Sequence, residues 1–229
     1  MKKVVSYSFK QSIPILISFF PLGIAYGILM QKNGYNFVFS SCCSLFILAG
    51  SLQFLMIDFL NSHTPLATVA LLSLVLNSRH IFYGLPFLEK WRNYGPAKLF
   101  LIYALPDESF SLHCANDFND GNDKHKKQTY VFSALFVMLF WVFFTFMGGL
   151  LGEILSFNTA GVDFAMTALF IVILINMMKS AKSLIPAIVA LGSSVLCFVV
   201  FGADSFIFPS LILSAIVLVL LRDRIEVEE

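Results

Sequence analysis

The sequence predicts an all-α polytopic membrane protein, and composition and charge distribution both support that prediction. Of the 229 residues, 58% are hydrophobic and only 13% are charged, whereas a soluble domain usually has about 25% charged residues. The mean hydropathy is +0.83. Four uncharged stretches each exceed the length of about 20 apolar residues that a helix needs to cross a bilayer. They are residues 11–31, 33–57, 128–152 and 183–203.

Seven or eight membrane segments can be assigned along the chain. Each is predicted to be helical, because backbone N–H and C=O groups cannot stay unpaired in lipid and the alternating pattern of a membrane barrel is absent from the sequence. Their approximate bounds are 12–30, 37–60, 65–88, 98–115, 129–151, 163–179, 183–201 and 206–221.

Two segments contain helix breakers away from their ends. Pro14 and Pro21 lie in the segment 12–30, and Pro106 lies in the segment 98–115, where proline removes a backbone donor. We therefore expect about six full transmembrane helices plus two broken or re-entrant segments, with eight crossings as the alternative. The whole chain, 1–229, is predicted to form a single transmembrane domain. No small-residue cleavage site follows the first segment, which is expected to stay uncleaved.

Lysine and arginine in short loops predict the orientation, because they favour the cytoplasmic side. They precede the first segment, occupy the polar linker 116–128 and follow the last segment, whereas the connections near Glu153 and Asp204 contain none. Both termini and the linker are therefore predicted to be cytoplasmic. The positive loop 90–98 agrees with this orientation only if two of the segments do not cross fully.

Several function classes are excluded from the prediction. The net charge of +1 provides no basic excess for binding nucleic acid. The four cysteines show no C-x-x-C spacing, so neither a metal site nor a disulfide framework is predicted. The sequence contains no zinc-hydrolase, serine-hydrolase or P-loop motif and no evident channel filter. We therefore predict a protein without cofactors that is not an enzyme, and broken helices with isolated charges favour a secondary transporter.

The third segment holds the first candidate site residues. Asn77, Arg79 and His80 lie in an otherwise apolar stretch, and charges placed in lipid are costly enough to suggest a function. Arg79 is either a functional residue or extends along the helix to the membrane interface. His80 is either a ligand-binding residue or a hydrogen-bonded structural one.

The fourth segment holds a carboxylate pair, Asp107 and Glu108, directly after Pro106. Proline disfavours helix in the preceding residue, so the helix should break at Leu105 and restart near Pro106. The carboxylates then lie in the first turn of the new helix, where the helix dipole favours them. They are either functional or an acidic helix start at a membrane surface.

Small and amide residues form the remaining candidates. Gln53 follows Gly50 in the second segment, and Pro21 precedes Gly23 and Gly27 in the first. A G-x-x-x-G spacing is usually a close helix–helix contact. It also occurs where an unwound helix provides backbone groups to a ligand.

Taken in order, these motifs resemble the AzlC family. They are Pro21-Leu22-Gly23 with Gly27, Ala49-Gly50-Ser51-Leu52-Gln53-Phe54, Asn77-Ser78-Arg79-His80, Asp107-Glu108-Ser109-Phe110 and Val162-Asp163-Phe164-Ala165. The resemblance implies a multi-pass permease of the bacterial cytoplasmic (inner) membrane for branched-chain amino acids, often an exporter, acting with a small AzlD-type membrane subunit. Pro106 departs from the family pattern, in which a Thr-like residue is expected.

The sequence is therefore interpreted as a transporter of branched-chain or similar apolar amino acids, driven outward by the proton-motive force. Such a substrate needs an apolar pocket and two charged partners. Arg79 would bind the carboxylate through two parallel bonds, and Asp107 or Glu108 would bind the ammonium or carry the coupling proton. Gln53 and Asn77 would orient the substrate. The alternative is a membrane-embedded structural subunit or an enzyme of unrecognised chemistry.

Overall fold

The computed structural model describes most of the chain as helix. The described residues are 2–62, 64–115, 122–154, 171, 174–175, 178, 184–202 and 206–221, and the motif at residues 162–165 lies outside them. Two compact units are present, residues 1–165 and 166–229. Every regular element in the described part is helical, which confirms the all-helical prediction.

The helices of the first unit are α1 Lys2–Lys32, α2 Phe37–Phe46, α3 Gly50–Asn61, α4 Leu66–Asn77, α5 Arg79–Gly84, a 3-10 turn Leu85–Phe87, α6 Pro96–Tyr103, α7 Asp107–Cys114 and α8 Asp123–Ile154. Those of the second unit are α9 Ile185–Phe201 and α10 Ile207–Leu220. Among the described helices, α1 and α8 are long and apolar enough to cross a membrane, and the bent pair α4–α5 would be a third span.

Helices α1 and α8 pack side by side and run in the same direction. Ser8 Oγ donates to the carbonyl of Thr129 at 3.3 Å, and the rings of Phe19 and Trp141 lie 5.0 Å apart further along both helices. We call the end where both helices begin the amino end and the opposite one the carboxyl end. The N-terminal helix and the start of α8 therefore lie at one end of this unit.

The expectation that residues 12–30 form an interrupted segment is wrong, because α1 is one continuous helix of 31 residues. Close packing explains why it stays helical across two prolines, each of which costs about 3 kcal/mol in a helix interior. A Cβ added at Gly27 would lie 2.7 Å from the carbonyl carbon of Gly148. Backbone therefore contacts backbone, as small residues at membrane-helix interfaces permit.

The second segment, 37–60, is not the single helix that we expected. It consists of α2, a break at residues 47–49, and α3. Ser44 Oγ donates to Thr145 Oγ1 at 2.9 Å, so α2 runs along α8 from the carboxyl end towards the middle. Asn61 Nδ2 then donates to Asn33 Oδ1 at 2.6 Å, which places the end of α3 back beside the end of α1. Helices α2 and α3 therefore form a re-entrant hairpin that begins and ends at the carboxyl end.

The third segment runs from the carboxyl end to the amino end. Helices α4 and α5 are bent by 42° at their junction, and the Phe87 ring, in the turn after α5, lies 6.2 Å from the Tyr130 ring near the start of α8. The 22 residues 66–87 rise by about 33 Å at 1.5 Å per residue, enough to span a hydrocarbon core.

The predicted break in the fourth segment is confirmed, since α6 ends at Tyr103 and α7 begins at Asp107. The α6–α7 pair is a second re-entrant hairpin, and it begins and ends at the amino end. Lys90, in the loop before α6, shares a pocket with Lys124 at the start of α8. The ring of His113, near the end of α7, lies 5.1 Å from the Tyr130 ring.

The first unit therefore repeats one arrangement in opposite directions: α1 followed by the α2–α3 hairpin, and α4–α5 followed by the α6–α7 hairpin. Inverted repeats of this kind are typical of secondary transporters. In the second unit, α9 and α10 pack against each other, with the Phe198 and Phe206 rings 5.4 Å apart.

Candidate functional site

Three helix interruptions carry three of the polar motifs that the sequence singled out. Gly50 and Gln53 follow the break between α2 and α3, where Leu48 has a φ of 45°. Asn77 precedes the bend between α4 and α5, and Asp107 follows the break between α6 and α7. These three polar motifs thus lie beside points where the backbone leaves regular helix.

Contacts between the helices bring these interruptions together. The Tyr103 hydroxyl at the end of α6 donates to the carbonyl of Leu45 in the last turn of α2. That carbonyl is one of the four that a helix end leaves without an internal partner. On the other side of the α6–α7 hairpin, the rings of Tyr83 and Phe110 stack with their centroids 4.6 Å apart. The α6–α7 break therefore lies between the α2–α3 break and the α4–α5 bend.

A closed hydrogen-bond network fixes the α2–α3 hairpin to α8. Trp141 Nε1 donates to Gln53 Oε1 at 2.7 Å, and Gln53 Nε2 donates to Ser44 Oγ at 2.9 Å. Ser44 Oγ donates to Thr145 Oγ1, which in turn donates to the Trp141 carbonyl at 2.8 Å. All four side chains are buried. In this structure both amide atoms of Gln53 therefore bond to protein groups.

The α6–α7 hairpin has a different polar interior. Ser109 and His113 are buried, with exposed fractions of 0% and 1%. Ser109 Oγ, both ring nitrogens of His113 and Trp91 Nε1 have no hydrogen-bond partner among the described residues. The rings of Phe87, Trp91 and Tyr130 surround His113, with Trp91 5.6 Å away. A buried polar group without a partner costs about 1–3 kcal/mol, so this region holds unmet hydrogen-bonding capacity.

The carboxylate pair lies where the sequence predicted it. Asp107 and Glu108 occupy the first turn of α7, after the N-cap residue Pro106. Both are half-buried. The positive end of the helix dipole stabilises negative charge there.

The motif with Asn77, Arg79 and His80 lies at the bend between α4 and α5. His80 Nδ1 is 3.1 Å from the carbonyl of Asn77, a local contact within one helical turn. The Asn77 Oδ1 atom is buried and has no hydrogen-bond partner in the described part of the chain. The side chain of Arg79 lies outside the described atoms, although its backbone begins α5.

The glycine candidates separate into two groups. Gly23 and Gly27 contact α8, with an added Cβ at Gly23 only 2.6 Å from Phe144 Cβ, and Pro21 is exposed on the same helix. Gly50, by contrast, lies at the α2–α3 break, where an added Cβ would lie at an ordinary contact distance of 3.6 Å from ring atoms of Trp141. Only Gly50 thus lies at the interruptions.

Sequence reasoning missed Tyr103, Trp141 and His113. The signal for His113 was present, because Ser109 and His113 are four residues apart and share one helix face. Tyr103 and Trp141 gave no local signal, since their partners lie far away in the sequence. Among the described residues, no group of three or more His, Cys, Asp or Glu side chains is placed to hold a metal ion.

Known proteins resemble this chain over most of its length. Residues 14–155 match the AzlC protein family. The chain is 38% identical over 222 residues to the "Branched-chain amino acid transport protein AzlC" of Bacillus subtilis (strain 168), covering 97% of this chain and 87% of that one. It is 36% identical to an "Uncharacterized membrane protein" of Haemophilus influenzae, covering 90% and 84%. It is 27% identical to the "Inner membrane protein YgaZ" of Escherichia coli, covering 91% and 84%. No solved structure matches it.

Proposed function

Because this chain belongs to the AzlC family, we propose that it transports branched-chain or similar apolar amino acids across the bacterial cytoplasmic membrane. The observation that carries this proposal is the meeting of two oppositely directed re-entrant hairpins at polar helix breaks. Discontinuous helices at mid-depth provide transporters with charged groups and helix ends for a polar substrate. The similar protein in Bacillus subtilis is named as a branched-chain amino acid transport protein, which supports the substrate class.

We assign the substrate to the space between α5, α7 and the α2–α3 break. Arg79 binds the carboxylate, because its planar guanidinium forms two parallel bonds with a carboxylate. Asp107 or Glu108 binds the ammonium. Asn77 Oδ1, which has no hydrogen-bond partner among the described atoms, adds an acceptor for its N–H groups. His80 lies one turn from Tyr83 and closes the same side of the site.

Gln53 takes a positioning role in this proposal. Its two amide atoms are engaged by Trp141 and Ser44, so it holds the α2–α3 hairpin in place and reaches the substrate only through that hairpin. Gly50 begins α3 directly after the break and lies beside the Trp141 ring.

The two hairpins border the substrate site on opposite sides. The α6–α7 hairpin opens the site towards the amino end, and the α2–α3 hairpin borders it on the carboxyl side. The amino end faces the cytoplasm in this proposal, as the lysines of the linker and Lys90 and Arg92 of loop 88–95 favour. A membrane-impermeant thiol reagent added outside intact cells should then fail to label Asn122→Cys, and efficient labelling would reverse the orientation.

The partner is proposed from the family resemblance, and the energy source from the lack of a P-loop motif for nucleotide hydrolysis in the sequence. Export is driven by the proton-motive force, with Asp107 or Glu108 as the proton carrier, and full activity requires a small AzlD-type subunit. Equal transport by the purified chain alone and by the co-expressed pair would refute the need for that subunit.

The proposal is tested by efflux of labelled leucine, isoleucine and valine from proteoliposomes holding the co-expressed pair. Arg79→Lys keeps the positive charge but loses the planar guanidinium that forms two parallel bonds with a carboxylate. Transport should therefore fall at least tenfold, about the effect of losing one strong charged hydrogen bond. Asp107→Asn or Glu108→Gln should weaken substrate affinity if the residue binds the ammonium, and should flatten the pH dependence if it carries the proton.

Arg92→Lys in the exposed loop and Asp58→Asn at an exposed position of α3 are the matched controls and should transport normally. Wild-type transport in Arg79→Lys, Asp107→Asn and Glu108→Gln, at equal membrane abundance, would remove the proposed site. Absence of transport by the wild-type pair would favour a structural subunit.

A further inference from the structure

A basic pocket lies at the amino end of the first unit, away from the helix interruptions. Its volume is about 730 Å3. The loop before α6 forms one wall and the first two turns of α8 form the other. Its lining residues are Lys90, Asn93, Tyr94, Asp123, Lys124, Lys126, Lys127 and Tyr130. Among the described residues, four lysines and one carboxylate therefore line this cavity.

The groups in this pocket suit a phosphate ester. Lysine is a strong point-charge donor to phosphate, and the start of α8 adds the positive end of a 32-residue helix. Two phenols supply further donors, since burial raises the pKa of Tyr94 and keeps its hydroxyl protonated. The Lys127 ammonium lies 5.8 Å from the Tyr94 ring centroid, which links the two walls.

The position of the pocket relative to the membrane surface favours a lipid over a soluble anion. The apolar run of α8 begins at Thr129, within the second turn of the helix, so the lysines lie at the level where hydrocarbon gives way to headgroups. Further along α8, towards its apolar part, Val131 and Phe132 are only half-buried and provide an apolar surface for an acyl chain. Basic pockets between membrane helices bind anionic headgroups in this way.

We propose that this pocket binds the phosphate of an anionic phospholipid and that the bound lipid supports the α6–α7 hairpin. The pocket wall is continuous with the aromatic cluster around His113, because the Tyr130 ring contacts both Tyr94 at 6.3 Å and His113 at 5.1 Å. An occupied pocket fixes loop 88–95 against α8, and with it the first residue of the hairpin. The binding itself does not depend on the transport proposed above.

The experiment is native mass spectrometry of the purified chain with phosphatidylglycerol or phosphatidylcholine, which differ in headgroup charge. Phosphatidylglycerol should bind at least tenfold more tightly. The triple variant Lys124→Gln, Lys126→Gln, Lys127→Gln should lose about fivefold in affinity per lysine, the usual contribution of a basic residue near an anionic surface. The control variant Lys2→Gln, Lys3→Gln, Lys10→Gln makes the same charge change at the same end outside the pocket, and should bind as the wild type does.

Two further arms separate the alternatives. Millimolar inorganic phosphate should not displace the lipid, and displacement would overturn the proposal in favour of a soluble anion. An equal loss of affinity in both triple variants would also overturn it, because only net charge would then matter. Hydrogen exchange in α7 should slow on addition of phosphatidylglycerol in the wild type and not in the pocket variant. Since none of these readouts measures transport, failure of the transport proposal leaves them interpretable.

Discussion

The two re-entrant hairpins share a shape but differ in how their polar groups are satisfied. In the α2–α3 hairpin, Gln53 and Ser44 belong to a closed network with α8. In the α6–α7 hairpin, Ser109 and His113 are equally buried, yet Ser109 Oγ and both His113 ring nitrogens have no hydrogen-bond partner in the described part of the structure. The first hairpin is held by directional bonds, and the second mainly by aromatic packing.

This difference suggests that the two hairpins have different roles in transport. A satisfied buried network rigidifies its surroundings, whereas an unsatisfied one lowers the cost of a movement that supplies water or another partner. The α2–α3 hairpin is therefore expected to stay on α8, and the α6–α7 hairpin is expected to move during transport.

The largest effect is expected at the contact between α8 and the start of α2. A Cβ added by Gly149→Ala would lie 2.7 Å from Phe37 Cβ and 2.8 Å from its Cα, so backbone has to shift. We expect a loss of about 3 kcal/mol or failure to fold, as severe overpacking causes. Thermal unfolding followed by size-exclusion chromatography measures it. Gly84→Ala, with no atom within 4 Å, is the control, and equal stability of the two variants would contradict this contact.

The next effect is expected in the network. Gln53→Leu leaves Trp141 Nε1 without its acceptor and Ser44 without its donor. The expected loss is about 2–3 kcal/mol, because buried groups keep their desolvation cost when a partner is removed. The same unfolding assay checks it. Unchanged stability would show that the network does not anchor the hairpin.

The α6–α7 hairpin should respond in the opposite sense. His113→Leu replaces a buried ring, whose two nitrogens have no hydrogen-bond partner among the described residues, with an apolar group of similar size. Stability should stay equal or rise by about 1 kcal/mol, since an unsatisfied polar group is removed. Transport should slow at the same time, because the closed hairpin is favoured. A destabilisation as large as that of Gln53→Leu would contradict the proposed difference between the two hairpins.

An effect as small as that of His113→Leu is expected where the hairpins touch. Tyr103→Phe removes the single hydroxyl contact to the Leu45 carbonyl. We expect a loss of about 1 kcal/mol in the free energy of unfolding, the net value of one neutral hydrogen bond. Relative to the wild type, hydrogen exchange should accelerate more in α7 than in α3. Equal acceleration in both helices would show that the contact stabilises the whole unit and does not separate the hairpins.

The sequence predicted those features that local chemistry dictates. Uncharged stretches long enough to span a bilayer predicted the helices, and Pro106 predicted the α6–α7 break because proline acts on its neighbours. The carboxylates in the first turn of α7 followed from the same reasoning. These features require no knowledge of distant contacts.

The remaining features depend on tertiary packing. The α2–α3 break has no proline, and Leu48 adopts a positive φ that a leucine disfavours. Its stabilisation comes from Trp141, which lies 88 residues after Gln53. In α1 the two prolines predicted an interruption, but contact with Gly148 on α8 keeps the helix intact. The same sequence pattern therefore has opposite outcomes in different surroundings.

The contrast between the hairpins is tested most directly by comparing Ser109→Cys in α7 with Ser40→Cys in α2, both at positions that are 0% exposed. The four native cysteines, Cys42, Cys43, Cys114 and Cys197, are first replaced by alanine. A membrane-impermeant maleimide is applied to each membrane face, with and without leucine. The account predicts that Ser109→Cys reacts from the amino-end face at a rate that leucine changes, while Ser40→Cys stays unreactive from both faces. The account would be contradicted if Ser40→Cys reacted at a rate that leucine changes while Ser109→Cys did not react.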